Sequence, residues 1–504
     1  MKQILRLLVF IPFVTFAQVA QIGEDIDGSV AQEFFGIATS ISSDGDFIVV
    51  GALGATNTNG DVFAGAARIY ENISGEWTQI SADIEGGQVG ETFGGDVVIS
   101  GDGTIVAVAG AEYDVDPSSN SGEGRVRVFE NQSGIWVQIG EDIIGDDPGA
   151  FLGNHIDMSD DGTIVSVGAI FNDEVAPNAG QIEVFENQSG AWVQIGQSIN
   201  GLAENDRTTN HALTADGSRI VVTSFGNEGD DRGRLRVFDY NTTTDTWDQV
   251  GQDVLGTESQ EQLGSGGLSI SDDGTVIGIG IPNAPITNAP GLARFYDFDT
   301  TTEEWNQIGE DILGDVPLGQ LGNGTGLDLS PNGSFAVIGT AGAFLDPDTN
   351  DFSGNFARVY ENQSGEWVQV GPNLQGEVFG DLFGWTLSLS DNGIVVVGGF
   401  QNEDGGGVNA GHVRVFDIND AFLSTEEFVV TKVSLYPNPT SNVFTVQLSN
   451  SVTLENIQIY NSLGQQVSAI INQNNVNVSA LKQGIYFVEI TTNQGITSEK
   501  IIIQ

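Results

Sequence analysis

Short runs of alternating apolar and polar residues, separated by Asp-Gly or Asn-Gly dipeptides, fill most of the chain. Between residues 93 and 145, "GGDVVIS" leads into a Gly-Asp-Gly turn, followed by "TIVAVAGA", a loop, "GRVRVFE", the turn "NQSG" and "IWVQIG". Alternation with a period of two predicts half-buried strands, and Asp-Gly supplies the positive φ that tight hairpins need. The segment therefore predicts four short antiparallel strands, and it shows no helical periodicity.

This unit recurs seven times, at spacings of 55 to 60 residues between successive turns. The turns are Asp44-Gly45, Asp102-Gly103, Asp161-Gly162, Asp216-Gly217, Asp273-Gly274, Asn332-Gly333 and Asn392-Gly393. The aromatic-ended third strands end at Tyr70, Phe129, Phe185, Phe238, Tyr296, Tyr360 and Phe416. Seven four-stranded sheets predict an all-β fold, a seven-bladed β-propeller over residues 18–420.

The two ends of the repeat region predict how the ring closes. Six units finish with a Trp-led strand, at Trp77, Trp136, Trp192, Trp247, Trp305 and Trp367. The seventh unit stops near Ile418, and its missing strand resembles Val19–Gly28, "VAQIGEDIDG", at the start of the mature chain. We therefore expect the first strand to complete the last blade, and a linear solenoid is the alternative. The tryptophans are predicted to pack between blades, with sugar stacking as their alternative role.

The turns within each unit differ in length between the two faces of the predicted propeller. The Asp-Gly and Asn-x-Ser-Gly turns are short and lie on one face, which we call the turn face. The longer, dissimilar loops lie on the other, the loop face. Because binding residues tend to occupy variable loops on a rigid scaffold, we expect a ligand on the loop face or in its central mouth.

The first 17 residues have the pattern of an export signal. Lys2 and Arg6 precede an apolar run from Leu7 to Phe16, and Thr15-Phe16-Ala17 is a small-residue cleavage site. The alternative, a membrane anchor, needs about 20 apolar residues, roughly twice the length of this run. No other stretch is apolar for long enough, so we predict no transmembrane segment.

Charge is distributed unevenly along the 504 residues, whose formal net charge is −53. Residues 18–431 hold 66 of the 69 acids, with 11 Arg and no Lys. Such a surface repels nucleic acid and anionic lipid, whose binders need basic patches. The chain has no Cys, which excludes disulfides, thiolate metal sites and a cysteine nucleophile.

From residue 432 the composition becomes neutral and rich in Asn, Ser and Thr, with strand alternation in "FTVQL", "IQIYNS" and "GIYFVEI". About seven short strands predict a small β-sandwich at 432–504, joined to the propeller by a linker at 421–431.

The repeated unit resembles FG-GAP repeats, the blades of integrin α-subunit propellers. The resemblance rests on Phe35-Gly36, Phe93-Gly94 and Phe383-Gly384, followed by "VVGA" or "VGA" and then "GxVRVF". It implies adhesion or ligand binding rather than an enzyme. The integrin-type calcium loops between the first two strands are here reduced to bare Asp-Gly or Asn-Gly turns.

The C-terminal segment resembles the sorting domain of the type IX secretion system of Bacteroidota. The resemblance rests on "LYPNPT" from Leu435, "IYNSLGQ" from Ile459, "GIYF" from Gly484 and the end "KIIIQ". It implies that the type IX machinery is a partner and that the protein is secreted or displayed on the outer cell surface. It also implies removal of the tail after translocation.

Two loops carry alternating oxygen side chains of the kind that surround calcium, the one cofactor predicted. One loop has Asp346, Asp348, Asn350 and Asp351, and the other has Asp114 and Asp116 followed by Ser118 and Asn120. The alternative is that both are solvated acidic loops in an acidic protein.

Three residues are candidates for chemistry inside the ring. His155 and His211 fall on predicted channel-lining strands near Asp96, where an acid–base pair or metal site is conceivable. Scaffold histidines are the more common case. The sequence therefore predicts a non-catalytic propeller that binds an extracellular glycan or protein ligand. Its alternative is an extracellular polysaccharide-acting enzyme that uses channel carboxylates.

Overall fold

The computed structural model divides the chain into two compact units, Met1–Ala421 and Phe422–Gln504. It describes residues 19–504 except 119–120, 227–229, 285–288, 316–317, 343–354, 379, 402–405, 420–433, 448–453, 462–465, 468, 473 and 493–494. The predicted export signal and linker thus lie outside the described residues. All 42 elements assigned within the described residues are β-strands, and none of those residues forms a helix long and apolar enough to cross a membrane.

Seven antiparallel sheets, numbered 1 to 7 in the order of their first strands, occupy the first unit. Their first strands are β3 (Phe35–Ile41), β8 (Asp96–Ile99), β13 (Leu152–Met158), β18 (Thr208–Leu213), β23 (Leu268–Ile270), β28 (Leu327–Leu329) and β32 (Thr386–Leu389). Their second strands are β4 (Phe47–Ala52), β9 (Ile105–Gly110), β14 (Ile164–Ala169), β19 (Arg219–Ser224), β24 (Val276–Ile281), β29 (Phe335–Ala341) and β33 (Ile394–Gly399). Their third strands are β5 (Ala66–Ile73), β10 (Arg125–Asn131), β15 (Gln181–Asn187), β20 (Arg234–Asn241), β25 (Leu292–Asp299), β30 (Asn355–Asn362) and β34 (His412–Asp417).

The outer edge of each sheet has more pairing than the sequence predicted. The fourth strands are β6 (Glu76–Gln79), β11 (Trp136–Gln138), β16 (Trp192–Gln194), β21 (Thr246–Gln249), β26 (Glu304–Gln307) and, in sheet 6, the long β31 (Trp367–Gln375). Sheets 1 to 5 add a two-residue strand: β7 (Ile84–Glu85), β12 (Ile143–Ile144), β17 (Ile199–Asn200), β22 (Val254–Leu255) and β27 (Ile312–Leu313). In sheet 2, β11 pairs with Phe129–Asn131 and β12 pairs with Arg125–Val126. A short loop joins β11 to β12 and includes Gly140 at φ 75°. After this loop the chain pairs with β10 again.

The outer strands of sheet 7 come from the beginning of the chain. Ala20–Gln21 (β1) pairs with Phe416 and Asp417, and Ile26–Asp27 (β2) pairs with His412 and Val413. Each first strand contacts the first strand of the next sheet, and β32 of sheet 7 contacts β3 of sheet 1. Contacts between first strands therefore run from each sheet to the next and from sheet 7 back to sheet 1.

Tryptophans of the fourth strands connect neighbouring sheets. The indole N–H groups of Trp192, Trp247 and Trp305 donate to the carbonyl oxygens of Ile139, Ile195 and Val250 in the preceding sheet, at 3.0, 3.1 and 3.2 Å. The prediction that these residues pack between sheets is confirmed. Each ring covers the glycine after that Ile or Val, and a Cβ on Gly196 would lie only 2.6 Å from Cδ1 of Trp247.

The second unit consists of two four-stranded sheets. One contains β35 (Ser434–Tyr436), β36 (Val443–Gln447), β40 (Asn475–Asn477) and β39 (Ile470–Asn472), and the other contains β38 (Gln466–Val467), β37 (Leu454–Asn461), β41 (Gly484–Thr492) and β42 (Gly495–Ile503). Phe444 and Val476 of the first sheet share a buried core with Ile459, Val488 and Ile501 of the second. The arrangement is a small β-sandwich.

Candidate functional site

Residues on the first strands of all seven sheets line a common channel. Two cavities lie along it, of about 230 Å³ towards the turn face and about 280 Å³ towards the loop face. Asp96 and His155 line both cavities. The channel therefore brings together the three residues that the sequence proposed for chemistry, since His211 lines the first cavity as well.

Polar side chains on the first strands join six of the seven sheets to the next sheet. We call these side chains the inter-sheet acceptors, because each accepts a hydrogen bond from a backbone N–H on the first strand of the following sheet. The pairs are Ser40 with Ile99, Asp96 with Ile156, Asp157 with Leu213, Ser269 with Leu329, Asp328 with Leu389 and Ser388 with Ile41. The last pair runs from sheet 7 back to sheet 1.

Three of these acceptors are carboxylates with strongly perturbed pKa values. Burial raises the pKa of Asp96 and Asp157 to about 7 and that of Asp328 to about 6, although backbone N–H donors oppose the shift. In Asp157, Oδ2 accepts from Leu213 at 2.7 Å and Oδ1 accepts from Met158 at 2.8 Å. Both oxygens of each carboxylate thus accept hydrogen bonds from backbone N–H groups of the strands that line the channel.

The two channel histidines contact each other edge to face, with ring centroids 4.8 Å apart. Nδ1 of fully buried His211 lies 2.7 Å from the carbonyl oxygen of Thr209, so it donates to that oxygen. Burial lowers the pKa of His155 to about 4 and that of His211 to about 3. Both rings are therefore neutral at physiological pH.

The turn-face mouth of the channel is a ring formed by the residue before each Asp-Gly or Asn-Gly turn. Backbone hydrogen bonds link neighbouring members: Ser43 to Gly101, Gly101 to Asp160, Asp160 to Ala215, Asp272 to Pro331 and Asp391 to Ser43. Three members are solvent-exposed acids, Asp160, Asp272 and Asp391. Desolvation, and then the charges of Asp272 and Asp391, raise the pKa of Asp160 to about 6.

The loop-face mouth has a different chemistry. Its cavity is lined by Asp96, Asn154, His155, Asn210 and Trp385. Asn154 accepts from Thr209 through Oδ1, so its amide nitrogen remains available as a donor. Asn210 donates through Nδ2 to the carbonyl oxygens of Gly264 and Gly266, so its Oδ1 remains an acceptor. The half-buried indole of Trp385 lines the same cavity.

The predicted calcium residues are not brought together in the described part of the chain. Asp346, Asp348, Asn350 and Asp351 lie outside the described residues. Asp114 accepts from the backbone N–H of Gly122, whereas Asp116 accepts from the N–H and hydroxyl of Ser118. Calcium binding in either loop therefore stays a prediction.

Several residues of the channel were missed by the sequence analysis. Asp157, Asp328, Asn154, Asn210 and Trp385 fall inside the repeated first strands or just before them. A signal existed for the acceptors: the residue three positions before each turn-face ring residue is Ser or Asp in five of the seven units. Nothing in the repeat pattern singled out Trp385.

The family model of the secretion system C-terminal sorting domain matches residues 434–504 of the sequence. Residues 434–504 are a secretion system C-terminal sorting domain. The type IX secretion system therefore exports the protein to the cell surface or extracellular space, and the sorting domain is removed. This confirms the localisation that the sequence predicted.

The chain is also similar to proteins of other descriptions. An ulvan lyase from Nonlabens ulvanivorans is 29% identical over 93 residues, 18% of this chain and 17% of that protein. The chain thus matches about a sixth of the length of that relative. Similar solved structures include the β-propeller domain of Myceliophteria thermophila Cps50 (Swd1), 10% identical with a TM-score of 0.47, covering 79% of this chain and 99% of that chain. Kuenenia stuttgartiensis hydrazine synthase is 12% identical with a TM-score of 0.47, covering 74% and 94%.

Proposed function

We propose that the exported protein is a non-catalytic binding module whose loop-face mouth holds an uncharged glycan. One observation carries this proposal: Trp385 lines the same cavity as the amides of Asn154 and Asn210. An indole face packs against the apolar face of a sugar ring, while amide donors and acceptors pair with its hydroxyl groups. The strongly acidic surface favours uncharged over anionic glycans.

The proposal includes the architecture that presents this mouth. The seven sheets form a closed seven-bladed β-propeller over residues 18–420, completed by the N-terminal strand, and residues 421–431 link it to the sorting domain at 432–504. The cyclic contacts between first strands and the pairing of β1 with β34 support closure. Such a ring, similar to FG-GAP propellers, would place the glycan site on its axis and serve adhesion at the cell surface.

The geometry of the channel carboxylates favours binding over catalysis. Each of Asp96, Asp157 and Asp328 accepts backbone N–H groups with both oxygens. A carboxylate that holds two sheets together is poorly placed to attack a substrate or transfer a proton.

A second candidate function is a polysaccharide-acting enzyme. The pKa of about 7 for Asp96 would leave this carboxyl group partly protonated near neutral pH, as a general acid requires. The similarity to a protein named as an ulvan lyase also points to a polysaccharide.

A glycan array followed by calorimetry tests the proposal. We expect Trp385→Ala to weaken binding of the captured glycan at least tenfold, because it removes the stacking surface. Asp160→Asn, at the opposite mouth of the same channel, serves as the control and should bind like the wild type. Capture of no glycan, or unchanged affinity of Trp385→Ala, would contradict the proposed site.

The same glycans, incubated with the protein and analysed for cleavage products, separate the two functions. We expect no products. Cleavage that Asp96→Asn or His155→Asn abolishes would establish the enzyme instead. Repeating the binding measurement with a chelator tests calcium: loss of binding restored by calcium, and absent in Asp114→Asn or Asp346→Asn, would assign it to the corresponding loop.

A further inference from the structure

The cavity towards the loop face, of about 280 Å³, is lined by residues from all seven sheets. Each sheet contributes residues from its first strand or from the segment just before that strand. Ile37 of sheet 1 and Trp385, which precedes β32 of sheet 7, are two of them. A ligand in this cavity therefore meets every sheet, and the chain to which it belongs has to leave through one of the two ends of the cavity.

The inner end of this cavity consists of the residues that it shares with the cavity towards the turn face. These residues, which we call the floor, are Asp96, His155, Leu268 and Thr325. Both oxygens of Asp96 already accept backbone N–H groups, from Val97 and Ile156. Leu268 is apolar, so His155 and Thr325 are the floor side chains that can pair with a ligand.

The imidazole of His155 has no hydrogen-bond partner among the described residues. Its Nδ1 is buried and unpaired, and no hydrogen bond joins Nε2 to another residue in that part of the chain. Its ring meets that of His211 edge to face, which involves no hydrogen bond. Because nearly all buried polar groups in folded proteins are paired, an unpaired imidazole beside a cavity indicates that a ligand or water pairs with it. A neutral imidazole offers one donor and one acceptor.

The volume of the cavity limits how much of a glycan it can hold. Its 280 Å³ lies just below the range of about 300–1,000 Å³ that is typical of pockets for small molecules. A single sugar residue is a ligand at the small end of that range, whereas a segment of several residues is much larger. The cavity therefore suits one residue of a chain.

The lining of the cavity differs between its sides. Trp385 and Ile37 belong to sheets 7 and 1, which contact each other. Asn154 and Asn210 belong to sheets 3 and 4, and the contacts between first strands place sheet 7 three steps from each of these two sheets. In the closed ring proposed above, the amides would thus lie across the cavity from the indole. One sugar ring would be held between them, with its apolar face on Trp385.

We propose that the loop-face cavity holds the terminal residue of an uncharged glycan chain, and that His155 pairs with the hydroxyl group to which the next residue would be linked. This inference rests on the proposed glycan-binding function and narrows it to chain ends. A residue inside a chain has neighbours on both sides, and the second neighbour would have to occupy the floor. A terminal residue has one neighbour, which leaves through the loop-face mouth, and its free hydroxyl group faces His155.

Calorimetry of the full chain with xylo-, manno- and laminari-oligosaccharides of one to six residues tests the inference. We expect the affinity to change by less than about threefold from the disaccharide to the hexasaccharide, because the additional residues lie outside the cavity. A steady increase in affinity with chain length would overturn the inference and leave the proposed function intact. Absence of binding by all three series would contradict the proposed function and the inference with it.

Two modified trisaccharides test whether a chain end is recognised. One has its reducing-end residue reduced to the alditol, and the other has a methyl ether on the hydroxyl group of its non-reducing end that would carry the next linkage. We expect one modification to weaken binding at least tenfold, because the closed cavity rejects a changed end, and the other to leave binding unchanged. Equal effects of the two modifications, including no effect of either, would overturn the inference.

Substitution of His155 by Phe tests its pairing with the terminal hydroxyl group. The variant should bind the unmodified trisaccharide at least about fivefold more weakly, since one hydrogen bond is lost. The harmful end modification should then cost less in His155→Phe than in the wild type, because both changes remove the same contact. Asp160→Asn, at the turn-face mouth, is the control and should show the full effect of the modification. Additive losses in His155→Phe would refute the pairing, and should that variant fail to fold, the two modified trisaccharides on the wild type decide the outcome.

Discussion

Substitution of Asp157 by Asn tests whether burial of an ionised carboxylate in the channel lowers the stability of the folded protein. Burial raises the pKa of Asp157 from 3.8 to about 7. Each pKa unit corresponds to 1.36 kcal/mol, so the shift amounts to about 4 kcal/mol. Because Asp157 is only half-buried and lines the channel cavity, solvent screening makes that figure an upper bound.

The direction in which stability changes with pH depends on whether the folded or the unfolded state binds the proton of Asp157 more tightly. Between pH 3.8 and about 7 the folded protein keeps the proton of Asp157 and the unfolded chain has lost it. The contribution to stability is therefore complete below pH 3.8 and is lost as the pH rises to about 7. Between pH 4.5 and 7.5 the loss is about 3 kcal/mol. The asparagine side chain does not titrate, so Asp157→Asn should remove this part of the pH dependence.

Urea denaturation at pH 4.5 and pH 7.5 measures the effect. The amide keeps one acceptor oxygen and loses one backbone hydrogen bond, a pH-independent cost of about 1–3 kcal/mol. We therefore expect the variant to be less stable than the wild type at pH 4.5 and as stable or more stable at pH 7.5. Asp102→Asn is the control: the pKa of Asp102 is lowered, so its effect should be equal at both pH values. A difference below about 1 kcal/mol for Asp157→Asn would refute the reasoning.

Two further predictions concern the packing between sheets. Deletion of residues 19–28 removes the partners of β34 and the core contacts of Ile22 and Ile26, which should lower the free energy of unfolding by about 3–6 kcal/mol. Calorimetry should show a lower Tm, and a peptide of residues 19–28 should restore it. An unchanged Tm would contradict closure. Gly196→Ala should cost about 2–4 kcal/mol, because the methyl group meets Trp247 and φ is +67°. In Gly190→Ala, at φ +90° with nothing within 4 Å, only the backbone strain remains, so equal losses in the two variants would refute the contact with Trp247.

The all-β class and the repeated strands could be predicted because alternation and turn chemistry are local properties. The Asp-Gly turn after Ser100 predicts the hairpin of β8 and β9 without reference to the rest of the chain. The match between Val19–Gly28 and Trp136–Gly145 also indicated a pairing that spans almost the whole repeat region, because the two segments contain nearly the same strand.

The candidate site could not be predicted to the same extent, because it depends on how separate sheets are placed. Asp157 and Asp160 are three residues apart, yet the first holds a backbone N–H of sheet 4 inside the channel and the second lies exposed at its mouth. The two aspartates differ in role because of the strands that lie beside them, and the local sequence does not specify those strands. Asp25 and His412 are about 390 residues apart in the chain, and the pairing of β2 with β34 brings them close together.

The pairing of the N-terminal segment with the last sheet also imposes an order on biosynthesis. About 400 residues separate Gln21 from its partner Phe416. At about 5–20 residues per second, the ribosome needs about 20–80 s to synthesise that stretch. During that interval the N-terminal segment has no partner strand. Sheet 7 can therefore be completed only after β34 has been synthesised.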